Sequence, residues 1–86
     1  EVTRVVLREV IDTAIEISRP TVAAGRHELT VDVPAEGVEL MGDPTRLAQA
    51  LGNLLNNAAK YTPPGGRIAL RMRQEGDVAV IEVEDD

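Results

Sequence analysis

The pattern of hydrophobic positions predicts a helix near the start of the chain. From about Thr3 to Ala24, apolar residues recur every three or four positions, which places them on one face of a helix. That face holds Val6, Val10, Ala14 and Ile17, with Leu7, Ile11 and Ile15 adjacent to it. Pro20 is expected to kink or restart this helix, and Gly25 is placed to end it.

A second helix is predicted between Asp43, the expected N-cap, and the Pro- and Gly-rich run that follows Thr62. Its packing face consists of Leu47, Leu51, Leu54 and Ala58, with Leu55 beside it. The adjoining sector is polar and consists of Arg46, Gln49, Asn53, Asn57 and Lys60. The remaining sector is expected to face solvent or a neighbouring element, and it holds Thr45, Gly52, Asn56 and Ala59. The polar sector therefore borders the core, as the wall of a pocket would.

Alternation of apolar and polar residues predicts four strands, over residues 27–33, 38–41, 68–72 and 78–83. Glu75-Gly76-Asp77 is predicted to form the hairpin turn between the last two. Two helices and four strands predict an α/β (α+β) two-layer sandwich, in which both helices pack on a mixed, mostly antiparallel sheet. Repeats, low-complexity tracts and linkers are absent from the sequence, so we expect one small domain.

Composition narrows the function classes. The chain has 86 residues, 43% of them hydrophobic, which is typical of a small globular domain. A net charge of −6 without a basic cluster argues against nucleic acid or an anionic membrane as a partner. Because cysteine is absent, a disulfide or a thiolate metal site is excluded. No apolar run reaches the length of a transmembrane helix.

The polar sector of the second helix carries the candidate chemistry. Buried or half-buried amides such as those of Asn53 and Asn57 destabilise a fold unless they are hydrogen-bonded, and the neighbouring sequence offers no evident partner. Spacing alone leaves two interpretations equally open. The sector is either the solvated side of an amphipathic helix or a site for a metal ion and phosphates.

The order of the residues favours the second interpretation. Over roughly twenty positions, residues 43–63 read DPTRLAQALGNLLNNAAKYTP. This string closely resembles the N-box of sensor histidine kinases, which belong to the GHKL superfamily with gyrase, the large heat-shock chaperones and MutL. The resemblance implies that residues 1–86 are a partial histidine-kinase ATP-binding domain, the first part of a Bergerat-type fold.

The resemblance also implies a role for each polar residue. Asn57 would bind the Mg²⁺ that bridges the phosphates of ATP, a hard cation that prefers oxygen ligands. Asn53 would complete the polar wall near the phosphates, and Lys60 would place its ammonium against a phosphate. Tyr61, the only aromatic residue of the chain, would pack on the base or sugar of the nucleotide, although its place could also be the core.

Asn53 bears on the type of reaction. ATP-hydrolysing members of the superfamily resemble this motif but carry a glutamate at this position, where it acts as general base on water. An amide has no titratable group for that role. The resemblance therefore implies that Asn53 belongs to a catalytic site that passes the phosphoryl group to another protein rather than to water.

The end of the chain holds a second candidate residue. In the family, the strand that ends in Glu84-Asp85-Asp86 leads into the G1 box, and Asp85 would be the aspartate that accepts a hydrogen bond from the adenine amino group. The G1 glycines, the ATP lid and the G2 box do not follow. We therefore expect the 86 residues alone to bind ATP weakly or not at all. Because strand edges would be left uncovered, we expect either self-association, as a homodimer or a swapped oligomer, or a further segment that belongs to the protein and covers them.

His27 is the only histidine. His27-Glu28-Leu29 begins like the H-box of sensor kinases, which contains the phosphorylated histidine, but Thr30-Val31-Asp32 continues it with strand alternation. We expect a histidine at a strand edge near the core rather than a phosphoacceptor.

The resemblance implies a function in which ATP donates its γ-phosphoryl group to a histidine on a separate dimerisation domain, for relay to a response regulator. Such ATP-binding domains lie in the cytoplasm, often in a parent kinase that is anchored in the membrane. Two alternatives remain open: a non-catalytic kinase-like binding module, and an anti-sigma-factor serine kinase of the same superfamily.

Overall fold

A computed structural model describes residues 2–33, 38–76 and 78–85. Within this part of the chain, two helices and five strands follow one another. They are β1 (Thr3–Val6), α1 (Leu7–Ala24), β2 (Glu28–Asp32), β3 (Glu39–Gly42), α2 (Pro44–Tyr61), β4 (Arg67–Glu75) and β5 (Val78–Asp85). In the described residues, neither helix is long and apolar enough to cross a membrane.

The start of the chain differs from the prediction. Residues 3–6 form the strand β1, which pairs antiparallel with β3 so that Thr3 lies opposite Gly42 and Val6 opposite Glu39. The Leu7 N–H continues this pairing by donating to the Val38 carbonyl at 2.8 Å. The consecutive β-branched residues Val5 and Val6 favour a strand. A segment of four residues is too short for the spacing of its apolar positions to distinguish a strand from a helix. The partner strand is more than thirty residues away in sequence, so the local pattern could not reveal it.

The other three strands form a mixed sheet in the order β2-β4-β5, as the predicted fold class requires. β2 runs parallel to β4, and β4 runs antiparallel to β5. Along β4 the inward positions Ile68, Leu70 and Met72 are buried. On the exposed face, ion pairs join Arg71 to Glu84 and Arg73 to Glu82. Gly76, with φ 60, lies in the predicted hairpin turn, whereas Asp77 of that turn and Asp86 of the acidic end lie outside the described residues.

Both helices pack on one face of this sheet and share a core with β4. On α2 the buried positions are Ala48, Leu51, Gly52, Leu55 and Ala59. Leu54, predicted on the packing face, is 47% exposed instead. The helix is rotated away from Leu54 because Gly52 faces α1, where a Cβ at Gly52 would lie only 2.9 Å from Ile17 Cγ2.

Local sequence sets the C-terminal end of α1 and the N-terminal end of α2. α1 ends at Ala24 with Gly25 as its C-cap, as predicted. It continues through Pro20 as one helix and does not restart there. The left-handed residue, however, is Arg26, with φ 54. Its N–H donates to the Ala23 carbonyl at 3.0 Å, and the His27 N–H to the Val22 carbonyl at 3.1 Å, which is a Schellman motif. On α2, the Asp43 side chain accepts from the backbone N–H groups of residues 45 and 46, as predicted for an N-cap.

Gly25 serves a close contact rather than a left-handed backbone. A Cβ at this position would lie 2.3 Å from His27 Nε2, so a larger residue would displace the imidazole ring. The same turn is tied to the loop after α2. The Gly65 N–H donates to the Gly25 carbonyl at 2.8 Å, and the Glu28 N–H to the Gly66 carbonyl at 3.0 Å. These bonds join the ends of the two helices.

Candidate functional site

The outer face of α2 carries the three polar residues that the sequence singles out. Asn53, Asn57 and Lys60 are all exposed, at successive turns of the helix, opposite the buried side that holds Leu55. They line one open pocket of about 510 Å³. The structure therefore brings these three predicted site residues together.

Two further residues line the same pocket. Asn56 enters from α2, and Thr21 enters from the last turn of α1. Neither was predicted as a site residue. Asn56 could have been found from its spacing, since it lies three residues after Asn53 and four before Lys60. Thr21 could not, because only the packing of α1 against α2 places it there.

The side chains around this pocket have no partners in the protein. Within residues 2–33, 38–76 and 78–85, the five lining side chains make no hydrogen bond or ion pair with another residue. Asn56 Oδ1 is also closed off from solvent, which makes it a buried acceptor without a donor. Buried polar atoms in folded proteins are normally satisfied, and the exceptions often mark a place for a bound group. The lining therefore suits a polar ligand.

The charge of the lining indicates the sign of that ligand. Lys60 contributes the only charge among the five side chains, and its ammonium has no carboxylate within ion-pair distance in the described residues. An unpaired ammonium beside neutral amides attracts an anionic group such as a phosphate.

A metal ion would need that anionic group. In the described parts of the chain, no cluster of His, Cys, Asp or Glu residues could hold a metal by itself. The pocket instead offers amide and hydroxyl oxygens, which suit a hard cation that keeps most of its ligands as water and phosphate oxygens. These neutral oxygen donors fit Mg²⁺ bound together with a phosphate.

Tyr61 lies at the end of α2 and is 79% exposed, which rules out a place in the core. It does not line the pocket of Asn53 and Asn57. Leu54, about two turns before it on nearly the same side of the helix, is also exposed. An apolar strip therefore borders the polar pocket, as a surface for a base or sugar would.

Asp85 lies outside the pocket, at the end of β5 opposite Ile68 of β4. Its Oδ2 accepts from the Thr62 hydroxyl, with 3.0 Å between the oxygens. Thr62, the C-cap of α2, is 5% exposed, and its Oγ1 also lies 2.6 Å from the Ala58 carbonyl. Because a hydroxyl has a single hydrogen, it donates to one of these two acceptors at a time. Thr62 thus fixes the Asp85 carboxylate beside the last turn of α2, a contact that the sequence did not predict.

His27 precedes β2 and is half-buried, at the place expected for a strand-edge histidine. Its Nε2 lies 2.8 Å from the Ala59 carbonyl, in the last turn of α2. Its Nδ1 is buried and has no partner in the described structure. The ring therefore bridges the turn after α1 to the end of α2.

Comparison with known proteins places the chain and its fold in a family. The profile of the family described as histidine kinase-, DNA gyrase B-, and HSP90-like ATPase matches residues 42–86. The signal transduction histidine-protein kinase/phosphatase MprB of Mycobacterium ulcerans is 40% identical over 72 residues, which cover 81% of this chain and 14% of that protein. The adaptive-response sensory kinase SasA of Synechococcus elongatus is 53% identical over 45 residues, which cover 52% of this chain and 12% of that protein.

Solved structures agree. The mycobacterial sensor histidine kinase MprB superposes with a TM-score of 0.81 at 34% identity, over 96% of this chain and 53% of that chain. The nucleotide-free catalytic domain of the histidine kinase ThkA superposes with a TM-score of 0.89 at 22% identity, over 99% of this chain and 58% of that one, which shows the shared fold. ThkA has also been solved in complex with the response regulator protein TrrA, and that structure superposes with a TM-score of 0.86 at 21% identity, over 98% of this chain and 25% of that one.

The chain spans about one seventh of the length of the MprB relative that it matches, and the resemblance stated for residues 43–63 is confirmed. The chain belongs to the family of histidine kinase-, DNA gyrase B- and HSP90-like ATPases, the GHKL superfamily, and its fold is that of a histidine-kinase catalytic domain.

Proposed function

We propose that this chain is the first part of the ATP-binding domain of a sensor histidine kinase. In the full-length protein it binds ATP with Mg²⁺ and donates the γ-phosphoryl group to a histidine on a dimerisation domain of the same protein. A response regulator then receives the group, as the complex between ThkA and TrrA suggests. On this proposal the pocket faces the cytoplasm, where ATP is available.

One observation carries the proposal. Asn53, Asn57 and Lys60 line a single pocket, and their side chains have no partners in the described residues. Without a ligand, the three side chains do not stabilise the fold through hydrogen bonds with the described residues. A ligand with phosphate oxygens and a cation would satisfy all three at once.

Each residue would contact a different part of the ligand, according to the chemistry of its side chain. Asn57 would hold Mg²⁺ through its side-chain oxygen, and Lys60 would bind a phosphate oxygen. Mg²⁺, when bound, neutralises charge that develops on the phosphates during transfer. Tyr61 would pack on the base or sugar, and the Asp85 carboxylate, held in place by Thr62, would accept from the adenine amino group.

Asn53 favours transfer over hydrolysis. Hydrolysis needs a general base that takes a proton from water, and no carboxylate is among the residues that line the pocket. In the transfer reaction the bond between the γ-phosphorus and the β–γ bridging oxygen breaks, and a bond to an imidazole nitrogen of the acceptor histidine forms. ADP leaves. Asn53 would orient the phosphates for this step without taking a proton.

The test uses the full-length protein with labelled ATP. We expect phosphate on the protein that is labile in acid and stable in base, as phosphohistidine is. Asn57→Ala and Lys60→Ala should abolish the label, and Arg46→Ala, an exposed change in the first turn of the same helix, should leave it unchanged.

Three other outcomes would contradict the proposal. Acid-stable phosphoserine on a partner protein would indicate an anti-sigma-factor serine kinase. Steady release of inorganic phosphate from a variant without its phosphoacceptor histidine would indicate an ATPase. No binding of ATP by the full-length protein would indicate a non-catalytic module.

A further inference from the structure

The side chains of Thr62 and Asp85 meet between the end of α2 and the end of β5. Val83 packs against the core, and alternation along the strand turns Asp85, two residues later, to the same side, toward the helices. There the Thr62 hydroxyl oxygen lies 3.0 Å from Asp85 Oδ2. Because Thr62 is buried and Asp85 is exposed, this contact ties one oxygen of an accessible carboxylate to a fixed group.

Asp85 is the better acceptor for the single hydrogen of the Thr62 hydroxyl. The Ala58 carbonyl also lies near, 2.6 Å from the hydroxyl oxygen, but it already accepts the Thr62 N–H at 3.0 Å and is satisfied without the hydroxyl. Asp85 Oδ2 has no other donor in the described residues. A hydrogen bond to a carboxylate is also stronger than one to a neutral carbonyl. Donation to Asp85 is therefore favoured.

A carboxylate held in this way presents one oxygen to a ligand. Oδ2 is turned toward the buried Thr62, so Oδ1 is the oxygen that a base can reach, and it has no donor in the described part of the chain. A single acceptor fits one donor, such as the 6-amino group of adenine. Guanine instead carries two neighbouring donors, N1–H and the 2-amino group, which match both oxygens of a free carboxylate, and its 6-carbonyl is an acceptor that a carboxylate repels.

We propose that Thr62 determines the specificity of the site for its base: by occupying Asp85 Oδ2, its hydroxyl makes the site select adenine over guanine. The inference rests on the function proposed above, in which Asp85 accepts from the adenine amino group. Thr62 acts as a positioning residue, since it works through Asp85 and not through a contact with the nucleotide. Without the hydroxyl both oxygens of Asp85 are free, and the carboxylate turns to present them together to guanine.

The test measures competition with a fluorescent ATP analogue for the full-length protein in the presence of Mg²⁺. The competitors are ATP, GTP and purine riboside triphosphate, whose base has neither an amino group nor a carbonyl at position 6. The unaltered protein should prefer ATP to both. Thr62→Val should narrow the ratio of the ATP and GTP affinities about tenfold, because ATP loses a positioned acceptor while GTP gains a second one. The affinity for purine riboside triphosphate should stay unchanged, since its base has no donor for Asp85.

The chain offers a matched control in Thr13. Its hydroxyl also donates to the carbonyl four residues earlier, that of Glu9, at 3.0 Å, but it has no carboxylate partner in the described residues. Thr13→Val should change neither the affinities nor their ratio. Thr62→Ser keeps the hydroxyl and should keep the preference for ATP. Thr62→Ala removes the hydroxyl without adding a methyl group in its place, and should narrow the ratio as Thr62→Val does, so the test stands even if the valine variant does not fold.

Each other result overturns the inference. An equal loss of affinity for all three nucleotides in Thr62→Val would show a purely structural role. A ratio that is also narrowed in Thr62→Ser would assign the effect to the methyl group. If Asp85→Ala abolishes the preference for ATP while Thr62→Val and Thr62→Ala leave it intact, the proposed function stands and this inference fails. If the unaltered protein binds none of the nucleotides, or if Asp85→Ala keeps the preference for ATP, the role proposed for Asp85 fails together with this inference.

Discussion

The two faces of α2 differ in how fully their groups are satisfied. The inner face packs Leu51, Leu55 and Ala59 into the core, where they are nearly inaccessible. The outer face presents Asn53 and Asn57 to a pocket without a single hydrogen bond from the described residues. One face stabilises the fold and the other contributes nothing to it. On a single helix, stability and binding are therefore expected to respond to different substitutions.

The two faces meet at the last turn of α2, which is tied down from three sides. His27 contacts the Ala59 carbonyl, and Thr62 joins the Ala58 carbonyl and the Asp85 carboxylate. The loop at Gly65 bonds to the Gly25 carbonyl. The residues proposed to bind ligand thus extend from a segment whose own backbone is well fixed. Such fixing holds binding groups in position without using up their hydrogen-bonding capacity.

The largest expected change in stability comes from a substitution in the inner face of α2. Leu55 is 0% exposed, and Leu55→Ala should lower the free energy of unfolding by about 3 kcal/mol because it leaves a cavity in the core. Leu54→Ala is a matched control, since the neighbouring leucine is 47% exposed and should cost less than about 1 kcal/mol. Urea denaturation of both variants measures the difference. Equal losses would mean that α2 is rotated as its hydrophobic pattern alone predicts.

A smaller effect is expected where Gly25 contacts His27. Gly25→Ala should cost about 1–2 kcal/mol, because its Cβ displaces the imidazole and breaks the bond to the Ala59 carbonyl. His27→Ala should cost a similar amount. In the His27→Ala background, Gly25→Ala should become neutral or slightly stabilising, since φ −85 at this residue suits alanine. Denaturation of the four proteins in a double-mutant cycle tests this, and additive losses would contradict it.

Thr62 should affect both properties, because it lies where the faces meet. Thr62→Val keeps the shape of the side chain but removes the hydroxyl, and should lower the free energy of unfolding by about 1 kcal/mol. It should also weaken binding of ATP by the full-length protein, since Asp85 loses the donor that holds it. Thr62→Ser restores the hydroxyl and should recover most of both. A variant that loses stability but keeps full affinity would separate Thr62 from the site.

How far the sequence predicted these features depends on whether their causes are local. Asp43-Pro44 and Pro63 set the bounds of α2 by themselves, and helical spacing alone brings Asn53, Asn57 and Lys60 into line. The strand β1 was not predicted, because it forms by pairing with β3, which lies far along the chain. Leu54 was misplaced because a helical wheel gives sectors but not the direction of the core, which the contact between Gly52 and Ile17 decides. Thr21 and Thr62 join the site through tertiary contacts that no spacing encodes.

The substitution with the smallest expected effect on stability is the most direct test of the difference between the two faces of α2. Asn57 is exposed and has no partner in the described residues, so Asn57→Ala should change the free energy of unfolding by no more than about 0.5 kcal/mol, and the higher helix propensity of alanine favours a small gain. Binding of ATP in the presence of Mg²⁺ should nevertheless fall at least about tenfold in the full-length protein. Urea denaturation and fluorescence titration of the same variant measure both quantities. If Asn57→Ala were to destabilise the fold as Leu55→Ala does, the outer face would be part of the framework, and its unsatisfied amides could no longer be explained by a ligand.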